Sequence, residues 1–389
     1  MSDSNRIRVS IVPEVTFGTT PSNPAYLVLG TTGESLRDRV GYQQSATINN
    51  DRNVQDLLRL SKSAGGGIPM ELTYSLATEG LGKLLLAAMA NTETAVAAHT
   101  GCTATNGAKT LTKSGGDLTS TVEVGDIVCV TLASTAANNG YYKVSAVAAT
   151  TITVLATANF TGDESCTVTR AARTKNGTVE NYFSIEVARL DLQVAQVFTG
   201  CAINSLDFSI ADEAITTANF SVQSANSVFY TANNGDDDEF GAGNPTYTAA
   251  ATNPVLDSLS VPEIRSGGIA YAAKSVSMTL SNNVAPRTQI GALGAQSMRF
   301  GEFNASGTIS AYMSDFADLQ KDADNTATDI WIALIDSADK GYSISFPQIK
   351  FSDAGADVAG SNQDVMKQLS VTAVKDPVEL CTVRFQRWA

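Results

Sequence analysis

The chain has 389 residues, 43% of them apolar and 17% charged, and a formal net charge of −13. The apolar content excludes a disordered chain, and the length allows one large or two ordinary domains. The acidity is local: residues 179–389 carry 25 Asp+Glu against 12 Lys+Arg, so no basic stripe is visible to displace counterions from a nucleic-acid duplex.

Met1 to Ser10 is polar and predicts no signal peptide, and no apolar run reaches the roughly 18 residues of a membrane span. Residues 41–66 form a long segment. Gly65-Gly66-Gly67 has no Lys-Ser or Lys-Thr after it and reads as a flexible turn rather than a phosphate cradle. Met70–Leu76 alternates and puts Met70, Leu72, Tyr74 and Leu76 on one face of a strand. Thr78 is a plausible N-cap for a helix with Leu81, Leu84, Leu85, Ala88 and Met89 on one side.

Residues 95–178 are rich in Thr, Ala and Gly. A turn and strand at 122–130, an Asn-Gly hairpin signal at Asn139-Gly140 and a strand at 151–154 predict a small β-barrel inserted into a surface loop. His99, the single histidine, lies in a small-residue stretch and reads as a solvated loop residue rather than a base. Cys102, Cys129, Cys166, Cys201 and Cys381 are odd in number and contain no CxxC pair, which argues for free thiols and against a disulfide framework or zinc site. Cys201 and Cys381 are the expected core thiols.

Further strands are expected at 182–187, 202–210 and 218–222. Leu206, Phe208 and Ile210 alternate with Ser205, Asp207 and Ser209, so one face is dry and the other wet. Residues 227–268 read as a connector, and the acidic run Asp236–Glu239 lacks the spacing of a calcium loop. Val276, Met278 and Leu280 alternate with serines and Thr279. After another long segment, 284–304, come a strand at 308–313 and a helix at 315–322, capped by Ser314 with Phe316 and Leu319 inward. Strands at 330–335, 343–351 and 369–373 complete the chain.

The order β-β-α-β-β-β thus occurs twice, which argues for an internal duplication. The expected fold is mainly β: a first module at 1–94 and 179–226, the inserted barrel at 95–178, a connector at 227–268, and a second module at 269–389. No dinucleotide fingerprint, P-loop or nucleophile elbow is present, and the adjacent acids Asp212-Glu213 would point to opposite faces of a strand. No cofactor, metal ligand set or catalytic residue is expected.

The ordered series Val12-Pro13-Glu14-Val15-Thr16-Phe17-Gly18-Thr19-Thr20-Pro21, Glu34-Ser35-Leu36, Asn49–Leu57 and Gly66–Tyr74 resembles tail tube proteins of long-tailed bacteriophages. Asn362–Met366 and Lys375-Asp376-Pro377 continue the likeness, which spans about 300 residues outside the insert. The resemblance implies β-sandwich modules with a flanking helix, joined edge to edge into rings. It implies that such rings stack into a hollow virion tube for DNA passage, and that the protein is made in the host cytoplasm. It implies as partners the chain itself, a tape measure protein, a tail terminator and tail-tip or baseplate proteins, without a membrane.

If related tubes with one module per chain close as hexamers, two modules per chain predict trimeric rings with pseudo-sixfold symmetry. The polar-face residues Ser205, Asp207, Ser209, Ser221, Ser277, Thr279, Thr308 and Ser310 are then candidates for the lumen. Segments 41–66 and 284–304 are candidate arms, anchored by Arg52, Leu57, Leu58 and Arg59 and by Arg287, Ile290 and Leu293. The insert would project outward. Alternative readings are a virion decoration or adhesion module, with the insert as binding domain, and an enzyme such as a glycosidase.

Overall fold

The computed structural model describes residues 6–48, 50, 53, 56–156, 159–232, 239–241, 243–336, 338–357 and 360–388. Strands β1 (Ile7–Pro13), β2 (Ala25–Val28), β3 (Arg37–Gln44) and β4 (Leu57–Glu71) precede helix α1 (Gly80–Ala88). Six strands follow: β5 (Ala97–Ala104), β6 (Thr110–Lys113), β7 (Ile127–Thr131), β8 (Gly140–Ala148), β9 (Thr151–Leu155) and β10 (Glu164–Arg170). Next come β11 (Ala172–Lys175), β12 (Phe183–Arg189), β13 (Val194–Ala211), β14 (Thr217–Ser224) and β15 (Asn226–Thr231). Short strands β16 (Thr246–Thr248), β17 (Glu263–Ser266) and β18 (Ile269–Ala270) lead to β19 (Ala273–Ser281), β20 (Ala285–Arg287), β21 (Ser297–Arg299) and β22 (Asn304–Tyr312). After helix α2 (Ala317–Ala323) come β23 (Thr328–Ile335), β24 (Gly341–Asp357), β25 (Met366–Ala373) and β26 (Arg384–Trp388).

The same pairing order occurs twice. In the first half β3 pairs with β4, β4 with β14, and β14 with the C-terminal half of β13. The N-terminal half of β13 leaves that sheet and pairs with β12 and β15. In the second half β19, β22, β25 and the C-terminal half of β24 pair in turn. The N-terminal half of β24 pairs with β23 and β26. β13 and β19 then pair with each other, Ser205–Ala211 against Ser275–Ser281, and join the two halves into one eight-stranded layer.

One core fills the space between this layer, the strands behind it and α1. Leu84, Ile68, Phe198, Phe220 and Phe346 are fully buried there, and Phe208 stacks on Phe346 at 6.4 Å across the two halves. Each such side chain contributes on the order of 1.5–3 kcal/mol of transfer free energy.

The strands behind the layer are themselves covered, differently in each half. In the first, Tyr26 and Tyr247 stack at 5.4 Å beside buried Phe240. The buried Glu186 carboxylate accepts from Arg8 at 3.2 Å, Ser10 at 3.2 Å and Tyr247 at 2.9 Å. In the second half β5–β10 close into a six-stranded barrel that packs against β23 and β26. Segment 227–268 is more than a link, because β15, β16 and β17 add strands to these sheets. Of its acidic run, Asp236, Asp237 and Asp238 lie outside the described residues.

Several local expectations are corrected. Gly65-Gly66-Gly67 is not a turn but part of β4, where neighbouring backbone leaves no room for a Cβ on the first two. A Cβ on Gly66 would sit 2.3 Å from the Ser35 carbonyl oxygen, and one on Gly65 would sit 2.5 Å from that of Val222. Gly66→Ala is expected to cost about 1–3 kcal/mol by forcing these backbones apart, read as a lowered midpoint in chemical denaturation.

α1 begins at Gly80, and Ser75, not Thr78, serves its first turn: the Ser75 hydroxyl accepts from the Gly82 amide at 3.1 Å. The strand before it ends at Glu71, so Leu76 is 44% exposed rather than inward. In α2 the Asp315 carboxylate, not Ser314, accepts from the Ala317 amide, at 3.0 Å. Phe316 is 70% exposed, and the inward position of that turn belongs to Asp318, which accepts from Lys367 at 2.7 Å and Tyr271 at 2.8 Å. Burial alone would raise the Asp318 carboxyl; the Lys367 ammonium outweighs it and holds the group below the usual carboxylate range.

His99 is a buried residue of β5, not a solvated loop residue. Burial, with Lys113 and Arg170 nearby, holds its pKa below the ordinary histidine value. Cys201 and Cys381 are buried free thiols, as are Cys102 and Cys166.

Candidate functional site

Residues directly opposite one another across a sheet share a face. The pairings therefore show which sequence candidates lie together. Ser221 faces Ser205, which faces Ser281 and then Asn304. Asn219, Asp207, Thr279, Ser306, Thr372 and Lys350 form a second row. Thr217, Ser209, Ser277, Thr308, Ser370 and Ser352 form a third, and Ser275 opposite Ser310 and Gln368 a fourth.

All eight residues, Ser205, Asp207, Ser209, Ser221, Ser277, Thr279, Thr308 and Ser310, thus lie on one face of one layer. Their neighbours in the rows are mostly Ser, Thr, Asn and Gln. Few bonds cross the face: Thr279 donates to Asp207 at 2.7 Å, and Gln368 donates to Ser310 at 3.0 Å. Leu206, Phe208, Ile210, Val276, Met278, Leu280 and Ile309 alternate with them and point into the core. A layer with one apolar and one hydroxyl-rich face needs water on the second.

The two ends of the layer are open. Among the described residues β3 pairs only with β4, and residues 350–357 of β24 pair only with β25. The chain before β3 prolongs the first edge: the Thr32 and Ser35 amides donate to the Pro69 and Gly67 carbonyls, both at 3.0 Å.

The candidate arms lie next to each other. β3 and β4 form a hairpin that extends beyond the layer and exposes Tyr42, Leu57, Leu58 and Leu60 by 49–58%. β20 and β21 form a second hairpin, with Ile290 fully exposed and Leu293 at 38%. Leu60, Lys62, Gln289, Ile290 and Gly294 line a shallow cleft between them. Arg59 and Arg287 are exposed on these hairpins, whereas Arg52 lies outside the described residues. Tyr42 and Leu60 were missed from sequence; alternation within 37–44 and 57–64 was the available signal.

The N-terminal motif is architectural. The Glu14 carboxylate accepts from the Gly18 amide at 2.7 Å, the Ser184 hydroxyl at 2.7 Å and the Gly200 amide at 2.8 Å. It holds the entering loop where β13 changes sheets, and Gly200 there has φ +63°.

The described residues contain no group of three His, Cys, Asp or Glu able to hold a metal, and no helix long and apolar enough to cross a membrane. Burial pushes the half-buried Cys129 thiol up to about 11, which disfavours a reactive thiolate.

A family model described as phage tail tube protein matches residues 4–373. No curated protein matches the chain.

Proposed function

Because the chain belongs to the phage tail tube protein family and is a structural component of the virion tail, we propose that it polymerises into stacked rings whose lumen is lined by the hydroxyl-rich face of the eight-stranded layer. The observation that carries this reading is the contrast between surfaces. The strands behind the layer are covered, by Tyr26, Tyr247 and Phe240 in one half and by the barrel in the other, while the layer's polar face is left to water. A wall of hydroxyl and amide side chains with few charges lets DNA slide past without the counterion release that would bind it.

Two modules per chain make a ring of three chains with pseudo-sixfold symmetry. The β13–β19 junction is a module-to-module contact already made inside the chain. The hairpins carrying Leu57, Leu58, Arg59, Arg287, Ile290 and Leu293 reach a neighbouring ring, where their exposed apolar side chains find cover. The barrel projects outward, since it packs on the side of the molecule away from the polar face. A tape measure protein within the lumen and terminator and tip proteins at the tube's ends complete the set of partners.

Negative-stain electron microscopy of concentrated protein tests the reading. End views are expected to show hollow rings with three outer lobes. Six lobes would keep the tube and remove the trimer. A monodisperse monomer under all salt conditions would favour a decoration or adhesion module instead.

A further inference from the structure

The contact between the two halves of one chain is a template for the contact between two chains. The two halves align through their shared pairings. Phe220 lies opposite Leu206, and Val371 opposite Phe351; Asn219 lies opposite Asp207, and Ser370 opposite Ser352. Thr217 lies opposite Ser209, and Gln368 opposite Gly355. β24 therefore repeats β13 with one residue added between Ser352 and Gly355, where Asp353 has φ +56°.

The same alignment makes Gly67 equivalent to Ser306 and Pro69 to Thr308, because their partners Ser221 and Asn219 are equivalent to Thr372 and Ser370. Ser306 and Thr308 lie opposite Thr279 and Ser277, while Gly67 and Pro69 accept from Ser35 and Thr32. The open edge at 32–37 thus repeats 277–281, again with one residue added, between Thr32 and Ser35. Leu36 takes the place of Leu280, and both are buried.

We propose that the ring is closed by the 32–37 edge of one chain adding antiparallel to the 350–357 edge of a second copy, in the register of the β13–β19 junction. That junction pairs Leu206 with Leu280, Asp207 with Thr279 and Ser209 with Ser277. Carried over, it pairs Phe351 with Leu36, Ser352 with Ser35 and Gly355 with Thr32. The added residue in each strand then faces the added residue in the other, so both irregularities fit without a slip of register. A slip of one residue would turn every side chain to the wrong face.

Each edge is guarded in the single chain. The Leu36 amide donates to the Glu34 carboxylate at 2.8 Å, and the Ala354 amide to the Asp322 carboxylate at 2.9 Å. Carboxylates at open edges discourage pairing with unrelated strands, and the specific partner offers a backbone carbonyl in exchange. A head-to-tail contact of this kind closes when its rotation divides the circle.

This seam rests on the ring reading, and its test separates the two. Ser35 donates its amide inward to Gly67, so its pair with Ser352 is of the non-hydrogen-bonded kind, with Cα atoms roughly 4.5 Å apart. That spacing admits a disulfide. Tubes of the double variant Ser35→Cys, Ser352→Cys are expected to give, on oxidation, a covalent ladder ending at the number of chains in the ring. The variant Arg39→Cys, Ser352→Cys shifts one thiol four residues along the edge, roughly 13 Å, and is expected to stay monomeric on the same gel.

Cross-linking through Arg39→Cys but not Ser35→Cys would overturn the register. Dimers from Ser35→Cys alone would overturn the seam in favour of a two-fold contact. Should the double variant not assemble, hydrogen exchange of wild-type tubes decides: protection gained at 31–37 and 350–357 on assembly supports the seam, and unchanged exchange there overturns it while the tubes stand. Wild-type protein that never forms rings removes the tube reading, and the seam with it.

Discussion

Asp126→Asn is expected to lower the stability of the barrel's junction with the rest of the chain by roughly 3–5 kcal/mol, the usual cost of leaving buried cations without their anion. Asp126 is fully buried. One carboxylate oxygen accepts from Arg173 at 2.5 Å and from the Glu123 amide at 2.8 Å, the other from Arg384 at 3.0 Å. Arg384 is also fully buried, and its second nitrogen donates to the Val124 carbonyl at 2.9 Å. Beside it Gln386 grips the Ile127 backbone at both ends, accepting at 2.6 Å and donating at 3.0 Å, and Lys143 spans Asp329 and Glu379 at 3.0 and 3.1 Å. The asparagine keeps the shape and removes the charge that Arg173, Arg384 and, at 4.0 Å, Arg170 converge on.

The readout is favourable because both tryptophans of the chain, Trp331 and Trp388, lie in this junction with Ile127 and Ala171. Their emission reports the junction rather than the remote half of the molecule. In urea the fluorescence transition of Asp126→Asn is expected to fall by about 1 M or more relative to wild type, taking a slope near 3 kcal/mol/M. An unchanged transition would mean that Glu123 and Glu379 alone balance the arginines.

This junction was invisible in the sequence for a plain reason: Asp126 and Arg384 are 258 positions apart. The insert itself was legible, through its Asn-Gly turn and short alternating strands. Local signals say that a barrel forms, but not that it crosses to cover β23 and β26. The continuity of β13 was hidden by a different mechanism. Val197–Ile203 is buried on both faces where the strand passes from one sheet to the other, so the period-2 signal vanishes there. Phe316 and His99 failed because partners distant in sequence decided burial. Lys367 and Tyr271 draw Asp318 inward at the expense of Phe316, and Thr121 bonds the His99 ring at 3.0 Å. The polar face was the most legible feature, since alternation is a local property, and the pairing register then aligned strands that the sequence could treat only one at a time.

The lumen assignment makes the sharpest functional prediction. Ser209 and Thr308 are exposed residues of one row, separated by β19, and stand roughly 10 Å apart. Substituting both with lysine adds two cations per chain to the polar face without burying charge, so the folding cost stays within about 0.5 kcal/mol. If that face lines the tube, every stacked ring presents these cations to the passing phosphates. Each engaged phosphate adds about 0.9 to the salt slope of binding, so some 6–10 of them shift affinity about 10³–10⁵-fold between 50 and 200 mM salt. Virions carrying Ser209→Lys with Thr308→Lys are expected to assemble tails of normal length, to eject DNA far more slowly than wild type at low salt, and to recover as salt is raised. Ser209→Gln with Thr308→Gln, which adds bulk without charge, is expected to eject normally at both. Lysine virions that eject like wild type at low salt would put this face somewhere other than the lumen. The hydroxyl-rich rows would then need a different aqueous surface to explain them.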